Sequence, residues 1–315
     1  MNYQQFVLEA LQTHGIEAKI QWNSLQQPCT TQGWALNLPD FDHRPWLILH
    51  FQDRVTSTAI GCCELEEIEK HYGSQAHRVA VLCYPHGMHK VYQGPVKILN
   101  FASHNWLTIH ELLQRPHIWQ NKFSLPKTKS WQCLNGKTLP HRVEVAKIVQ
   151  SWPNGTLSLG NRIALAQWSY ETYRGTENYD NFERLLPIYQ QSAVNIVTES
   201  EYNARPAVIT EKTLYAFWAG QIPLIIGHPG IVQDCKDFGF DMFEDLIDTS
   251  YDWLPNDQRI QQALTANRDF VIDPGNLAGV QSRIEHNRQH VMQGYLQWIK
   301  QTLIRDCESL SLQKV

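Results

Sequence analysis

Thr210, Glu211 and Lys212 stand in a row directly before Leu214, Phe217 and Trp218, an apolar triplet spaced i, i+3, i+4. A threonine so placed is a helix N-cap, because its hydroxyl accepts a hydrogen bond from an amide that the first turn leaves unpaired. The acid and the base that follow sit at a helix end whose free N–H groups and partial positive charge favour an anion, and Lys212 adds a full charge. The triplet turns one face inward and leaves the other free, Gly220 ends the helix, and Ile222, Leu224, Ile225 and Ile226 read as a strand buried on both faces. Taken alone, the stretch reads equally well as a surface helix with a solvated Glu–Lys pair.

Two earlier segments bring further polar groups to the same place. Trp131 to Gly136 reads as a strand and turn that ends at Asn135, and Pro140 opens a helix that carries Arg142. Ala193 to Val197 reads as a strand that runs into Glu199. A parallel sheet puts the carboxyl ends of its strands and the amino ends of the following helices on one edge, so Asn135, Arg142, Glu199, Thr210, Glu211 and Lys212 are expected to line one crevice. Its chemistry suits a nucleotide diphosphate. A guanidinium offers a fork of donors to phosphate oxygens, an ammonium adds a compact charge, and a carboxylate such as Glu211 can accept hydrogen bonds from both ribose hydroxyls. Helix dipole and cations together can neutralise a leaving diphosphate with no metal.

From Ser192 to Gly227 the chain resembles the donor-binding signature of the α1,3-fucosyltransferase group of glycosyltransferases. The matching residues are Val197-Thr198-Glu199-Ser200, Ile209-Thr210-Glu211-Lys212, Ala216, and Ile222-Pro223-Leu224-Ile225-Ile226-Gly227, and Asn135, Pro140 and Arg142 resemble the family's asparagine turn and arginine-bearing helix. The likeness covers roughly residues 131–250. It implies a GT-B-like α/β fold, two doubly wound Rossmann-like domains facing each other across a cleft, with Arg142 and Lys212 on the diphosphate and Glu211 on the ribose. It also implies transfer of a hexosyl or fucosyl unit to an acceptor hydroxyl, inverting and metal-independent, with the nucleotide sugar as co-substrate and no further cofactor. Thr198, Ser200 and Val208 depart from the family pattern, so the donor need not be GDP-fucose. Transfer needs a general base. Asp53, at the end of the second strand, is the first choice, and His86, at the end of the third, is the alternative.

The elements that must position these groups follow from periodicity. Residues 2–14 read as a helix, 16–22 as a strand, 46–51 as an apolar strand, 64–71 as a helix, 79–84 and 96–101 as strands and 106–114 as a helix, an α/β alternation. Residues 121–130, with Pro126 among lysines and serines, read as a linker; Lys122, Lys127, Lys129 and Lys137 cluster there, and a solvated linker explains them more simply than a track for an acidic polymer. After it come a strand at 155–160, helices at 178–191 and 255–267, and one long helix from Leu277 to Asp306. The expected division is an acceptor-side domain at 1–125, a donor-binding domain at 126–285, and a C-terminal helix at 286–315 that packs back on the first domain.

Composition narrows the function classes. The chain has 315 residues, 43% hydrophobic and 18% charged, with 11 tryptophans and 12 tyrosines, which fits a globular protein with aromatic-lined clefts. A net charge of −4 gives no general attraction to nucleic acid, so a transferase acting on nucleic-acid bases ranks below one acting on carbohydrate. A nucleotide-sugar-binding protein without activity is the other alternative. Seven cysteines without Cys-x-x-Cys spacing, and no apolar run long enough to span a bilayer, point to a cytoplasmic protein. Asp40-Phe41-Asp42 has the Asp-x-Asp form of metal-dependent transferases but precedes a strand, where it reads as a turn cap; His86 and His89 lack a third ligand, and Glu64, Glu66, Glu67 and Glu69 read as a solvated helix face.

Overall fold

The computed structural model describes residues 3–22, 38–51, 58–83, 92–114, 127–160, 178–203, 209–275 and 277–312. The chain divides into two compact units, one built chiefly from Met1–Leu107 and Leu296–Val315, the other from Thr108–Asn203 and Ile209–Tyr295. Each holds a four-stranded parallel sheet.

In the first unit β1 (Ala18–Gln21), β2 (Trp46–Phe51), β3 (Val79–Cys83) and β4 (Lys97–Asn100) lie side by side in chain order. Leu47, Ile48 and Leu49 of β2 stand against Val79, Ala80 and Val81 of β3, and all six are fully buried. Such continuous apolar runs belong to a parallel sheet covered on both faces. Its helices are α1 (Tyr3–Thr13), α2 (Thr58–Tyr72) and α3 (Ser103–Gln114), and a 3₁₀ turn from Gly73 to Arg78 leads from α2 into β3. The helix expected at 64–71 thus begins a turn and a half earlier, and α3 begins three residues before its apolar stripe. The C-terminal helix α10 (Gly294–Ser311) serves this unit too: Asp306 accepts hydrogen bonds from the backbone N–H of Asn100 at 2.7 Å and from its side chain at 2.9 Å.

In the second unit the order is different. The strands β5 (Lys129–Asn135), β6 (Gly155–Leu159), β7 (Ser192–Thr198) and β8 (Ile222–Ile226) line up as β6-β5-β7-β8, with α4 (Pro140–Val149) following β5 and α5 (Asn178–Gln191) preceding β7. Then come α6 (Glu211–Trp218) before β8, α7 (Ile231–Asp237), α8 (Asn256–Ile272) and α9 (Gln281–Met292). The connection from β5 runs outward to β6 and that from β7 runs the opposite way to β8. Their carboxyl ends therefore border the topological switch point, where open α/β sheets hold ligands. Pro223 is accommodated inside β8 because that strand is at the edge of the described sheet and needs one ladder bond fewer.

Three expectations are corrected. Helix α6 is buried all round, for Thr213, Tyr215 and Ala216 are as enclosed as Leu214, Phe217 and Trp218, and only Glu211 and Lys212 in its first turn reach the surface. The long C-terminal helix is broken into α9 and α10 at Gln293, where the ring of His290 occupies the space that a side chain at Gly294 would need. His290 is fixed there by its hydrogen bond to the Phe238 carbonyl at 2.7 Å, so the break is a packing demand that helical periodicity does not carry. Lastly, the end of the expected linker is structured: Lys129 and Ser130 open β5, and only part of the segment lies within the described residues.

Candidate functional site

The last residues of β7 and those just after it are the hub at the switch point. Thr198 donates its hydroxyl to the Asn135 side-chain oxygen, and its carbonyl accepts from Nη2 of Arg142 at 3.2 Å. Next along the chain, the Glu199 carbonyl accepts from His141 Nε2 at 2.9 Å. One strand end thereby fastens both the carboxyl end of β5 and the first turn of α4.

The Glu199 side chain fastens α6. Fully buried, it accepts from the Thr210 N–H at 2.9 Å, the Thr210 hydroxyl at 2.5 Å, the Thr213 hydroxyl at 2.5 Å and the Ser200 N–H at 3.3 Å. Four donors fill the acceptor sites of a carboxylate. Glu199 was expected on the crevice wall; instead its oxygens are taken up by protein, and it positions Thr210. Gly227 is required opposite, since a Cβ there would meet Ile231 at 2.7 Å and the Glu199 Cβ at 3.1 Å.

Thr210 caps α6 as its sequence position predicts, although the cap bond from the Lys212 N–H is long at 3.4 Å. The Lys212 ammonium points back over the same turn, donating to Thr210 Oγ1 at 2.9 Å, Glu211 Oε1 at 3.0 Å and Ser200 Oγ at 3.3 Å. Glu211 and Lys212 are thus an ion pair, with side chains 18% and 23% exposed.

Arg142 is the group left short. Its side chain is 2% exposed, its Nε has no hydrogen-bond partner, and the Thr198 carbonyl is a neutral acceptor. Burial lowers its pKa, while the charges of Glu199 and Glu211 partly restore it. A buried guanidinium satisfied this poorly is costly unless an anion completes its fork. Asn135, also expected to meet ligand, is 1% exposed and turned into the protein, its amide nitrogen directed at the Cys133 sulfur at 3.3 Å and its oxygen at Thr198.

Sequence reasoning passed over His141 and Tyr202. Their rings stack at 5.1 Å, 8° from parallel, and Arg259 lies over the far ring at 4.4 Å. Burial depresses the His141 pKa, and its Nε2, facing a carbonyl, donates to the hub. The only signal for it in the sequence is its position next to Arg142.

Asp53 and His86, the two choices for the base, lie outside the described residues. Asp42 does sit in a turn: its carboxylate accepts from the Arg44 N–H at 2.9 Å and from the Arg44 guanidinium, which holds its pKa well below the usual carboxylate range. Among the described residues no cluster of three or more His, Cys, Asp or Glu side chains could hold a metal ion, and no helix is long and apolar enough to cross a membrane.

No family model and no curated protein matches this chain. A solved structure titled as an α1,3-fucosyltransferase is similar at a TM-score of 0.31 and 10% identity, covering 81% of this chain. The match spans 63% of that protein's length. At that TM-score the likeness carries no weight of its own, and the chemistry of the site rests on this chain's residues.

Proposed function

We propose that this protein is a glycosyltransferase of the GT-B kind, which moves a sugar from a nucleotide-diphosphate donor to an acceptor hydroxyl. The observation that carries the reading is the underpartnered, buried Arg142 guanidinium at a topological switch point, one strand end away from the first turn of α6 with its Glu211–Lys212 pair. The diphosphate completes the guanidinium fork and exchanges for one partner of Lys212, and Glu211, released from that ion pair, accepts from the ribose hydroxyls. In the transfer step the acceptor oxygen bonds to the anomeric carbon as the bond from that carbon to the diphosphate oxygen breaks. The electron pair leaves with the diphosphate, where Arg142 and Lys212 neutralise it without a metal, and the acceptor proton passes to a base. Attack from the face opposite the leaving group inverts the anomeric centre. Asp53 or His86 supplies the base, and the acceptor is a carbohydrate or another hydroxyl-bearing molecule.

A panel of GDP-, UDP- and other nucleotide sugars, scored for binding and for release of free nucleotide, tests this reading. One donor class should bind and turn over, and Arg142→Ala should weaken its binding about a hundredfold. If no nucleotide or nucleotide sugar binds the wild-type chain, the reading falls.

A further inference from the structure

Among the described residues the large hydrophobic side chains that stand exposed are Leu8, Leu113, Leu312 and Trp253, and the last is 59% exposed. The residues on either side of this tryptophan are fixed. Before it, the Tyr251 hydroxyl donates to the Ile225 carbonyl of β8 at 2.8 Å. Asp252 is buried, its carbonyl accepting from the Gly230 N–H at 2.9 Å and its carboxylate from the N–H groups of Val232 and Gln233 at 3.1 Å each. After it, the Leu254 carbonyl accepts from Nη1 of Arg259 at 2.8 Å, and the Asn256 carbonyl from the Tyr202 hydroxyl at 2.5 Å. The turn is strung between the residues that follow β8 and those that follow β7, both at the carboxyl edge of the second sheet. From there the contacts run on to the diphosphate corner. Arg259 lies 4.4 Å over the Tyr202 ring, which stacks at 5.1 Å on His141, the neighbour of Arg142. The two steps span no more than a distance comparable to the length of a nucleoside.

An indole held out in water forgoes the burial that normally encloses tryptophan, and on a rigid turn it can cover the face of a ligand at little cost in conformational entropy. We propose that Trp253 is the base platform of the donor site, its ring stacking on the nucleobase of the nucleotide sugar whose diphosphate meets Arg142. Every base offers a π face to such a ring. Exposure suits this end of the donor, since the base takes no part in the chemistry, whereas the sugar at the other end must react in a place closed to water. The inference rests on the transferase reading and adds to it a group that answers to the base alone.

The test compares binding of the nucleoside diphosphates GDP, UDP, ADP and CDP with that of inorganic pyrophosphate, which has no base, in the wild type and in three variants. Because the side chain is exposed, each variant should unfold in urea at the wild-type midpoint. Trp253→Ala should weaken the preferred nucleoside diphosphate by about ten- to a hundredfold and leave the affinity for pyrophosphate where it was. Trp253→Tyr, which keeps a π face, should restore most of the nucleotide affinity, and Trp253→Leu, which keeps only apolar bulk, should not. Nucleotide affinity that is unchanged in Trp253→Ala, that falls there in the same proportion as pyrophosphate affinity, or that is equal in the Tyr and Leu variants overturns the proposal and leaves the transferase reading standing. A wild type that binds no nucleotide removes that reading, and the platform with it.

Discussion

The two parallel sheets differ in the order in which the chain lays their strands down. In the first, each described strand is added on the same side of the one before, so no two neighbours send their connections in opposite directions. In the second, the chain starts at an inner strand, steps to one side, and returns to build on the other. Buried charged groups follow that difference. Between β2 and β3 the matched residues are apolar through the middle of both strands, whereas the ends of β5 and β7 gather Asn135, Arg142, Thr198, Glu199, Thr210 and Thr213, all buried. Buried polar side chains occur elsewhere too, His50 and Asn100 in the first sheet and Gln132 and Asn195 within the second, but at the ends of β5 and β7 they include a carboxylate and a guanidinium and hold one another in fixed positions. The lesson is that strand order selects the candidate site before any side chain is considered.

The sharpest way to break this comparison is at Glu199. Glu199→Ala strips four donors of their acceptor at once and should destabilise the protein by about 3–5 kcal/mol, measured by urea unfolding. Where the variant still folds, nucleotide binding should be lost, because α6 is no longer fastened to β7. The counterpart in the first unit is Asp306, whose removal leaves the two Asn100 donors without that acceptor. Asp306→Ala should cost about 1–3 kcal/mol, with nucleotide affinity unchanged. Equal loss of nucleotide binding in both variants would show that the contrast between the sheets has no functional meaning.

Local signals in the sequence were informative where a residue's role is set by its chain neighbours. The Thr210 cap follows from a threonine before an apolar triplet, and the start of α4 follows from Pro140, which has no N–H to leave unpaired. Every strand of the second sheet was read at its place in the chain, β8 as an apolar run and β5 and β6 from short segments next to turn residues. What could not be read was the set of partners across chain separations of tens of residues. Glu199 and Thr210 are eleven residues apart, and nothing in either segment shows that the carboxylate turns to the helix rather than to a ligand. The strand order is invisible for the same reason, since β5 and β7 look alike as isolated runs. Lys127, grouped with solvated linker lysines although its Nζ is buried, was misjudged because composition describes a segment and burial belongs to an atom.

The smallest effect, and the one that asks most directly whether the carboxyl edge of the second sheet is the anion edge, is at Glu201. It is half-buried, the next residue after the Ser200 that Lys212 contacts, and burial raises its carboxyl pKa to about 7 from 4.5. The unfolded chain therefore releases this proton at lower pH than the folded one. Between pH 4.5 and about 7 the folded state holds more protons, so stability falls as pH rises through that window. The partial exposure of the group reduces the effect by solvent screening to about 1–2 kcal/mol. Glu201→Gln should remove this slope and leave the variant more stable than the wild type at pH 8, as urea unfolding at pH 5, 6.5 and 8 would measure. A nucleotide-diphosphate sugar, whose esterified phosphates do not titrate between pH 6 and 8, adds negative charge near the carboxyl when bound at the Arg142 corner and pushes its pKa higher still, so it should bind more tightly at pH 6 than at pH 8 in the wild type and equally at both in Glu201→Gln. A wild-type affinity that does not change with pH would place the diphosphate away from this edge.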